Sequence, residues 1–217
     1  MSAEDARRFF DAIAGRYERE YGMTGPESRS RMQRLARELP PSPARVLDLG
    51  VGTGRELTAL LDSGYEPTGV DVSPAMLERC ARRARPVPLV EADFWHALPF
   101  ADGAFDAAVA LHGTLAHPPD DDAVARLGRE LARLVRPAGM FLAEVPALSW
   151  LDSAASDPRV TRTGPRTATY EDPVTSARIE TRLLSDAEWM AALGPAWRTR
   201  VEPVGDAEWL VAAVRAG

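Results

Sequence analysis

Three aspartates and two histidines stand at the ends of short apolar runs, where side chains able to bind charge or carry protons are easiest to use. The run "VLDLGVGTG", Val46 to Gly54, carries Asp48 and then Gly50, Gly52 and Gly54. "PTGVDV" carries Asp71, "VEADFW" carries Asp93 with Phe94 behind it, and "VALHGTLAH" carries His112 and His117. Glycines at alternate positions let a chain turn sharply out of a strand and leave room for a ligand against the backbone. A helix starting at Arg55 would add free N–H groups at its first turn. Such a loop holds a nucleotide-like ligand.

The spacing narrows the ligand. A dinucleotide loop reads G-x-G-x-x-G and seats a pyrophosphate; this one reads G-x-G-x-G, with a carboxylate two residues before Gly50. Asp48 is poorly matched to pyrophosphate and well matched to a positive group, such as the ammonium and sulfonium of S-adenosylmethionine. Asp71, seventeen residues after Gly54, can accept from both hydroxyls of a ribose. Asp93 can accept from an adenine amino group, with Phe94 or Met76 over the ring face. His112 and His117 have the side chain suited to removing a proton from an acceptor. Either can serve as general base or as a hydrogen-bond partner of the substrate. Trp150 and Tyr170 are candidate walls of an apolar acceptor pocket.

These residues need a scaffold that brings strand ends together. Strand and helix patterns alternate from Arg45 to Val145: "RVLDLG", a helix from Arg55 to Asp62, "PTGVDV", a helix through "SPAMLERCARRA", "VPLVEAD", "FDAAVAL", a helix from Asp122 to Arg136, and "MFLAEV". This alternation predicts a doubly wound, mostly parallel sheet, whose ligand lies beyond the carboxyl ends of the strands. Before it, one helix is expected from Ser2 to about Glu20 and another from about Ser28 to Leu39. After it come two strands joined by "EDPVTS", a capped helix at "SDAEWMAALG", and two antiparallel strands in "WRTRVEPV" and "EWLVAAV". The expected fold is an α/β Rossmann-like sheet of seven strands with the last pair antiparallel, N-terminal helices and an inserted β-hairpin. One domain is expected over 1–217: a helical cap at 1–40, a cofactor-binding core at 45–146, a substrate-side insertion at 147–184, and a closing helix and strands at 185–217.

The segments "VLDLGVGTG", "GVDVSPAMLERC", "VEADFWHALPFADGAFDAAVAL" and "RELARLVRPAGMFLAEV" resemble, in order, the class I S-adenosylmethionine-dependent methyltransferases of the small-molecule group. The N-terminal "FFDAIAGRYERE" is similar to that group's opening helix. The resemblance implies that Gly50 and Gly52 approach the methionine portion of the cofactor. It also implies Asp71 on the ribose, Asp93 on the adenine edge, a backbone contact from Leu111, and Tyr17 closing over the methionine end. Ala138 stands where relatives often carry glycine. The implied activity is in-line methyl transfer to an oxygen, nitrogen or carbon nucleophile of a small molecule. A non-catalytic cofactor-binding partner and an NAD-dependent oxidoreductase are the alternatives.

Composition bounds the rest. The 217 residues carry a net charge of -6, no lysine and no asparagine, so lysine Schiff-base chemistry is excluded. The acidic balance argues against a nucleic-acid partner. The DNA-base methylation motif after the fourth strand, the Asp/Asn metal cluster of catechol-type enzymes and the glutamate pair of arginine methyltransferases are all missing, so no metal site is expected. Cys80 is the single cysteine, and it points to a reducing, cytoplasmic setting. No apolar run reaches the ~20 residues of a membrane span. A homodimer stays open.

Overall fold

The computed structural model describes residues 2–22, 25–84 and 86–217, with backbone alone at 25–29. Helix α1 (Ala3–Ile13) starts at Ser2, whose hydroxyl accepts from Asp5 N–H while the Asp5 carboxylate accepts from Ser2 N–H. This reciprocal cap satisfies two donors that a helix start leaves unpaired. The single helix expected to about Glu20 is broken at 14–16, and α2 (Tyr17–Tyr21) follows. Gly15 makes the break inexpensive, and Arg16 then pairs with the buried Asp172 and, at 2.7 Å, with Glu20. Helix α3 (Gly25–Glu38) ends before the prolines at 40 and 41.

The alternating core runs β1 (Arg45–Leu49), α4 (Arg55–Asp62), β2 (Glu66–Asp71), α5 (Pro74–Arg83), β3 (Leu89–Glu91), β4 (Phe105–Ala110), α6 (Ala123–Leu134) and β5 (Val135–Pro146). The remainder runs α7 (Trp150–Ser153), β6 (Val160–Arg162), β7 (Thr167–Glu171), β8 (Arg178–Arg182), α8 (Asp186–Ala192), β9 (Trp197–Pro203) and β10 (Glu208–Arg215). Seven strands form one sheet in the order β3-β2-β1-β4-β5-β10-β9, parallel from β3 through β5. Strand β10 runs antiparallel to β5 and β9 antiparallel to β10, as the sequence pattern predicts. The order reverses between β1 and β4, which opens a crevice at their carboxyl ends.

Both faces of the sheet are covered, so successive residues of a strand enter different cores. On β1, Leu47 and Leu49 pack with Leu127 and Leu131 of α6, while Val46 packs with Leu35 of α3 and Leu60 of α4. On β5, Phe141, Ala143 and Val145 take the first face and Leu142 the second. Each fully buried side chain of this size contributes about 1.5–3 kcal/mol. The strands are therefore held in register, and with them the residues at their ends.

Strand β5 starts at Val135, five residues before the expected "MFLAEV". It pairs Phe105 with Val135, then shifts register before Ala107 meets Met140. Ala138, inside that irregular stretch, has φ +61°. The inserted hairpin is β7–β8, and β6 adds a third antiparallel strand. Three residues, two of them exposed, give β6 almost no periodicity to read. No described helix is long and apolar enough to cross a membrane.

Candidate active site

A cavity of about 600 Å3 opens at the carboxyl ends of β1, β2 and β4 and is roofed by α1, α2 and the small sheet. It is lined by Tyr17, Asp48, Gly50, Gly52, Asp71, Met76, Asp93, Phe94, Leu111, His112, His117, Trp150 and Tyr170, whereas Gly54 is not in the lining. Gly50, Gly52 and Gly54 have φ of +64°, +52° and +78°, backbone that other residues reach only at a cost. A Cβ on Gly50 would lie 2.5 Å from Thr114 Cγ2, and one on Gly54 2.5 Å from Cys80 Sγ. A Cβ on Gly52 would meet nothing nearer than 3.9 Å. The first and third glycines thus let the loop pack down on the protein, and the second leaves its backbone facing open space.

The three aspartates differ in environment. Asp48 is buried and makes no hydrogen bond or ion pair with a described residue. Burial first, then the nearby carboxylates of Glu56 and Asp71, hold its pKa well above the usual range. A buried carboxylate without a partner is costly, and a cationic ligand would restore its charged form. Asp71 Oδ2 accepts from Gly52 N–H at 2.8 Å and Oδ1 from Ser73 N–H at 2.9 Å. Burial pushes its pKa up to about 6 against those hydrogen bonds. Each oxygen keeps a second lone pair for a ligand hydroxyl. Asp93 Oδ1 accepts from Trp95 N–H at 3.0 Å, and Oδ2 lies 2.8 Å from His96 Nδ1. Phe94 and Met76 are buried in the same wall, and Met76 packs against Phe9 and Ile13 of α1.

The two candidate histidines are held differently. The Nε2 of His112 lies 2.5 Å from Glu56 Oε1, and the guanidinium of Arg31 lies against its Nδ1. Arg31 is in turn fixed by Glu144, fully buried on β5, at 2.9 Å. With Arg31 donating to Nδ1 and Nε2–H donating to Glu56, both ring nitrogens are used. His112 also sits at φ +55°, a conformation costing on the order of 1–2 kcal/mol for a residue with a Cβ. On His117, Nδ1–H donates to the Glu180 carbonyl at 2.8 Å. Its Nε2 has no partner among the described residues, and burial lowers its pKa below the ordinary histidine value. The ring is therefore neutral near pH 7, with one lone pair free. Leu111 is buried beside His112, and Gly113 N–H donates to the Glu144 carbonyl at 3.1 Å, which anchors this loop to β5.

The roof is latched to the floor. Glu18 of α2 accepts from Thr53 Oγ1, from Arg55 Nη2 at 3.3 Å and from Arg83 Nη2 at 2.9 Å. Tyr17 beside it is partly buried, and desolvation pushes its phenol up to about 12. Asp11 of α1 accepts from Ser73 Oγ at 2.6 Å. Away from the glycine loop the wall is aromatic: Phe9, Phe10, Trp150, Tyr21 and Tyr170. The hydroxyls of Tyr21 and Tyr170 are hydrogen-bonded, and Arg159 donates to Tyr170 at 3.3 Å. Arg159 is itself paired through two nitrogens with Asp157 at 2.9 and 2.7 Å.

Sequence reasoning missed Arg55, Glu56, Glu18, Arg31 and Arg159. Arg55 and Glu56 follow the glycine loop directly and could have been found there. Glu18, Arg31 and Arg159 reach the site from distant elements and leave no local pattern. An adenosyl sulfonium ligand fits what is present: an unpaired acid at Asp48, open backbone at Gly52, and acceptors at Asp71 and Asp93.

Residues 46–139 match the family described as Methyltransferase domain. The chain is 38% identical over 137 residues to demethylmenaquinone methyltransferase of Corynebacterium kroppenstedtii, covering 62% of this chain and 57% of that protein. It is 39% identical over 141 residues to malonyl-[acyl-carrier protein] O-methyltransferase of Halorhodospira halophila, covering 63% of this chain and 46% of that one. The chain thus spans about half the length of these curated relatives. The CcbJ methyltransferase of Streptomyces caelestis shares the fold, with a TM-score of 0.74 and 20% identity over 96% of this chain and 98% of that one.

Proposed function

We propose that this chain, which belongs to the class I S-adenosylmethionine-dependent methyltransferases, methylates a small, flat, uncharged acceptor and that His117 is its general base. One observation carries the reading: Asp48, Asp71 and Asp93 line one cavity with the glycine loop, and His117, whose Nδ1 is held by the Glu180 carbonyl, lines the same cavity. S-adenosylmethionine, when bound, supplies an electrophilic methyl group on a sulfonium. Asp48 takes the ammonium of its methionine portion, Asp71 the ribose hydroxyls and Asp93 the adenine amino group. Met76 and Phe94 cover the ring faces, Leu111 contributes backbone, and Tyr17 shuts the methionine end from water. Positioning of this kind can lower a barrier by about 7–11 kcal/mol.

The acceptor end supports a neutral substrate, because its charges are already matched in pairs. Arg159 is neutralised by Asp157, and Arg16 by Asp172. What remains is aromatic surface and phenol hydroxyls. With Arg159 donating to Tyr170 and Tyr170 donating to Tyr21, the Tyr21 proton is left for the acceptor. His117 Nε2 takes the proton of the acceptor hydroxyl or amine as the new bond forms. Its neutral ring, fixed by the Glu180 carbonyl, suits that role better than His112, whose nitrogens are both occupied.

The test is incubation with methyl-labelled S-adenosylmethionine and a panel of phenols, anilines, aliphatic acids and amines. Label is expected on neutral aromatic acceptors. Transfer confined to charged aliphatic acceptors would overturn the acceptor assignment, and turnover undiminished in His117→Gln would remove the base.

A further inference from the structure

The imidazole of His117 is gripped by two elements far apart in sequence. From β8, the Glu180 carbonyl accepts from Nδ1–H at 2.8 Å. From α1, Phe10 sets its ring against the imidazole, with centroids 6.2 Å apart and planes at 69°. Both residues line the cavity. Edge-to-face packing fixes how two rings turn relative to each other, which burial alone does not. Phe10 is backed in the same way by Phe9, at 5.3 Å and 86°, and Phe9 by Tyr170 of β7, at 5.9 Å and 85°. The helix that carries both phenylalanines is pinned to the core and to the small sheet. Asp11 accepts from Ser73 Oγ at 2.6 Å, and Arg16, just past α1, pairs with Asp172, just past β7.

We propose that Phe10 is a positioning residue for the methyl transfer: it holds the His117 ring with Nδ1 on the Glu180 carbonyl and Nε2 turned to the acceptor, and keeps water off that ring. This rests on the reading of His117 as general base. A base must be held within hydrogen-bond reach of the proton it takes, and a single hydrogen bond leaves an imidazole free to rock about it. Burial is the larger influence on the His117 pKa and lowers it, the Glu180 carbonyl opposes it, and no charged side chain contributes. The charges on the packed elements are committed elsewhere. On α1, Glu4 pairs with Arg8, Arg7 with Glu91, Asp5 caps the helix and Asp11 bonds Ser73. On β8, Arg178 pairs with Glu171 and Arg182 with Asp121, and the Glu180 side chain is exposed. In the loop that follows His117, Asp120 pairs with Arg126. Removing the Phe10 ring therefore admits water to the imidazole without changing any charge near it, and the His117 pKa should return toward its ordinary value.

Proton NMR titration of the three histidines in the full chain reads this without turnover, with the His117 signal assigned from its loss in His117→Gln. In Phe10→Ala the His117 pKa is expected to rise toward 6.5, while His96, exposed beside Asp93, titrates as before. Phe10→Tyr, which keeps the ring edge, should hold the wild-type value, and it guards against a misfolded alanine variant. With a neutral aromatic acceptor, kcat of Phe10→Ala should fall by about two- to tenfold. The inflection in kcat/KM should move up with the NMR pKa, and affinity for S-adenosylhomocysteine should stay within twofold of wild type. An unmoved His117 pKa in Phe10→Ala overturns the inference. So does a shift shared by His96, or one equally large in Phe10→Tyr, since either marks a general loosening of the fold. If the NMR pKa shifts and the kcat/KM profile stays in place, the general-base reading fails, and the role of Phe10 in turnover falls with it.

Discussion

Replacing Asp71 by asparagine separates ligand binding from fold stability. The carboxylate accepts two backbone N–H groups, from Gly52 and Ser73, at 2.8 and 2.9 Å. An amide keeps one accepting oxygen and turns an NH2 toward the other donor, so one buried N–H goes unsatisfied. That costs about 1–3 kcal/mol. The variant also removes a charge whose burial raises the pKa from 3.8 to about 6, and two units correspond to about 3 kcal/mol. Because the folded pKa is raised, the folded chain binds more protons than the unfolded one between about pH 4 and 6. The wild-type contribution is complete below about pH 4 and lost as pH rises through 6. The two effects therefore nearly cancel at pH 7, and urea unfolding should find the variant about 1–3 kcal/mol less stable only near pH 4.

Affinity behaves differently. Hydrogen bonds to a charged acceptor contribute about 1.5–3 kcal/mol, and the amide forfeits one of the two offered to the ribose. Calorimetry at pH 7.5 should show S-adenosylhomocysteine bound roughly 10- to 150-fold more weakly. A dissociation constant within twofold of wild type, with the fold intact, would refute the placement of the ribose on Asp71.

Three further outcomes follow from the same geometry. His117→Gln should lower kcat by about 10²–10⁴-fold with little change in cofactor affinity, and the wild-type kcat/KM should rise through an inflection below pH 6.5 because burial lowers the His117 pKa; a parallel loss of affinity would indicate a structural role. Gly54→Ala forces a Cβ to 2.5 Å from Cys80 Sγ at φ +78°, and should cost about 2–5 kcal/mol from backbone strain and overpacking together, read by urea denaturation. Ala138→Gly relieves a φ of +61° and should raise stability by about 1 kcal/mol; a lower midpoint would show that unfolded-state entropy outweighs the strain.

Legibility from sequence tracked how local each signal is. The seven-stranded sheet was readable because both faces are buried and every core strand ends in punctuation, such as Gly50 after β1 or Ser73 and Pro74 after β2. The carboxylates were readable because parallel strands bring their ends to one edge whatever the details of packing. The break in the N-terminal helix was not, since Arg16 leaves the helix for a partner, Asp172, 156 residues away. The relative suitability of His112 and His117 was also hidden. It depends on Glu56, Arg31 and the Glu180 carbonyl, which come from three different elements, and no spacing rule connects them.

The most direct measurement is a crystal structure of the chain grown with S-adenosylhomocysteine. The ribose should lie on Asp71, the adenine amino group on Asp93, the ammonium on Asp48, and the sulfur toward His117. Ligand density outside this cleft, or the three carboxylates left without ligand contact in an occupied site, would contradict the account.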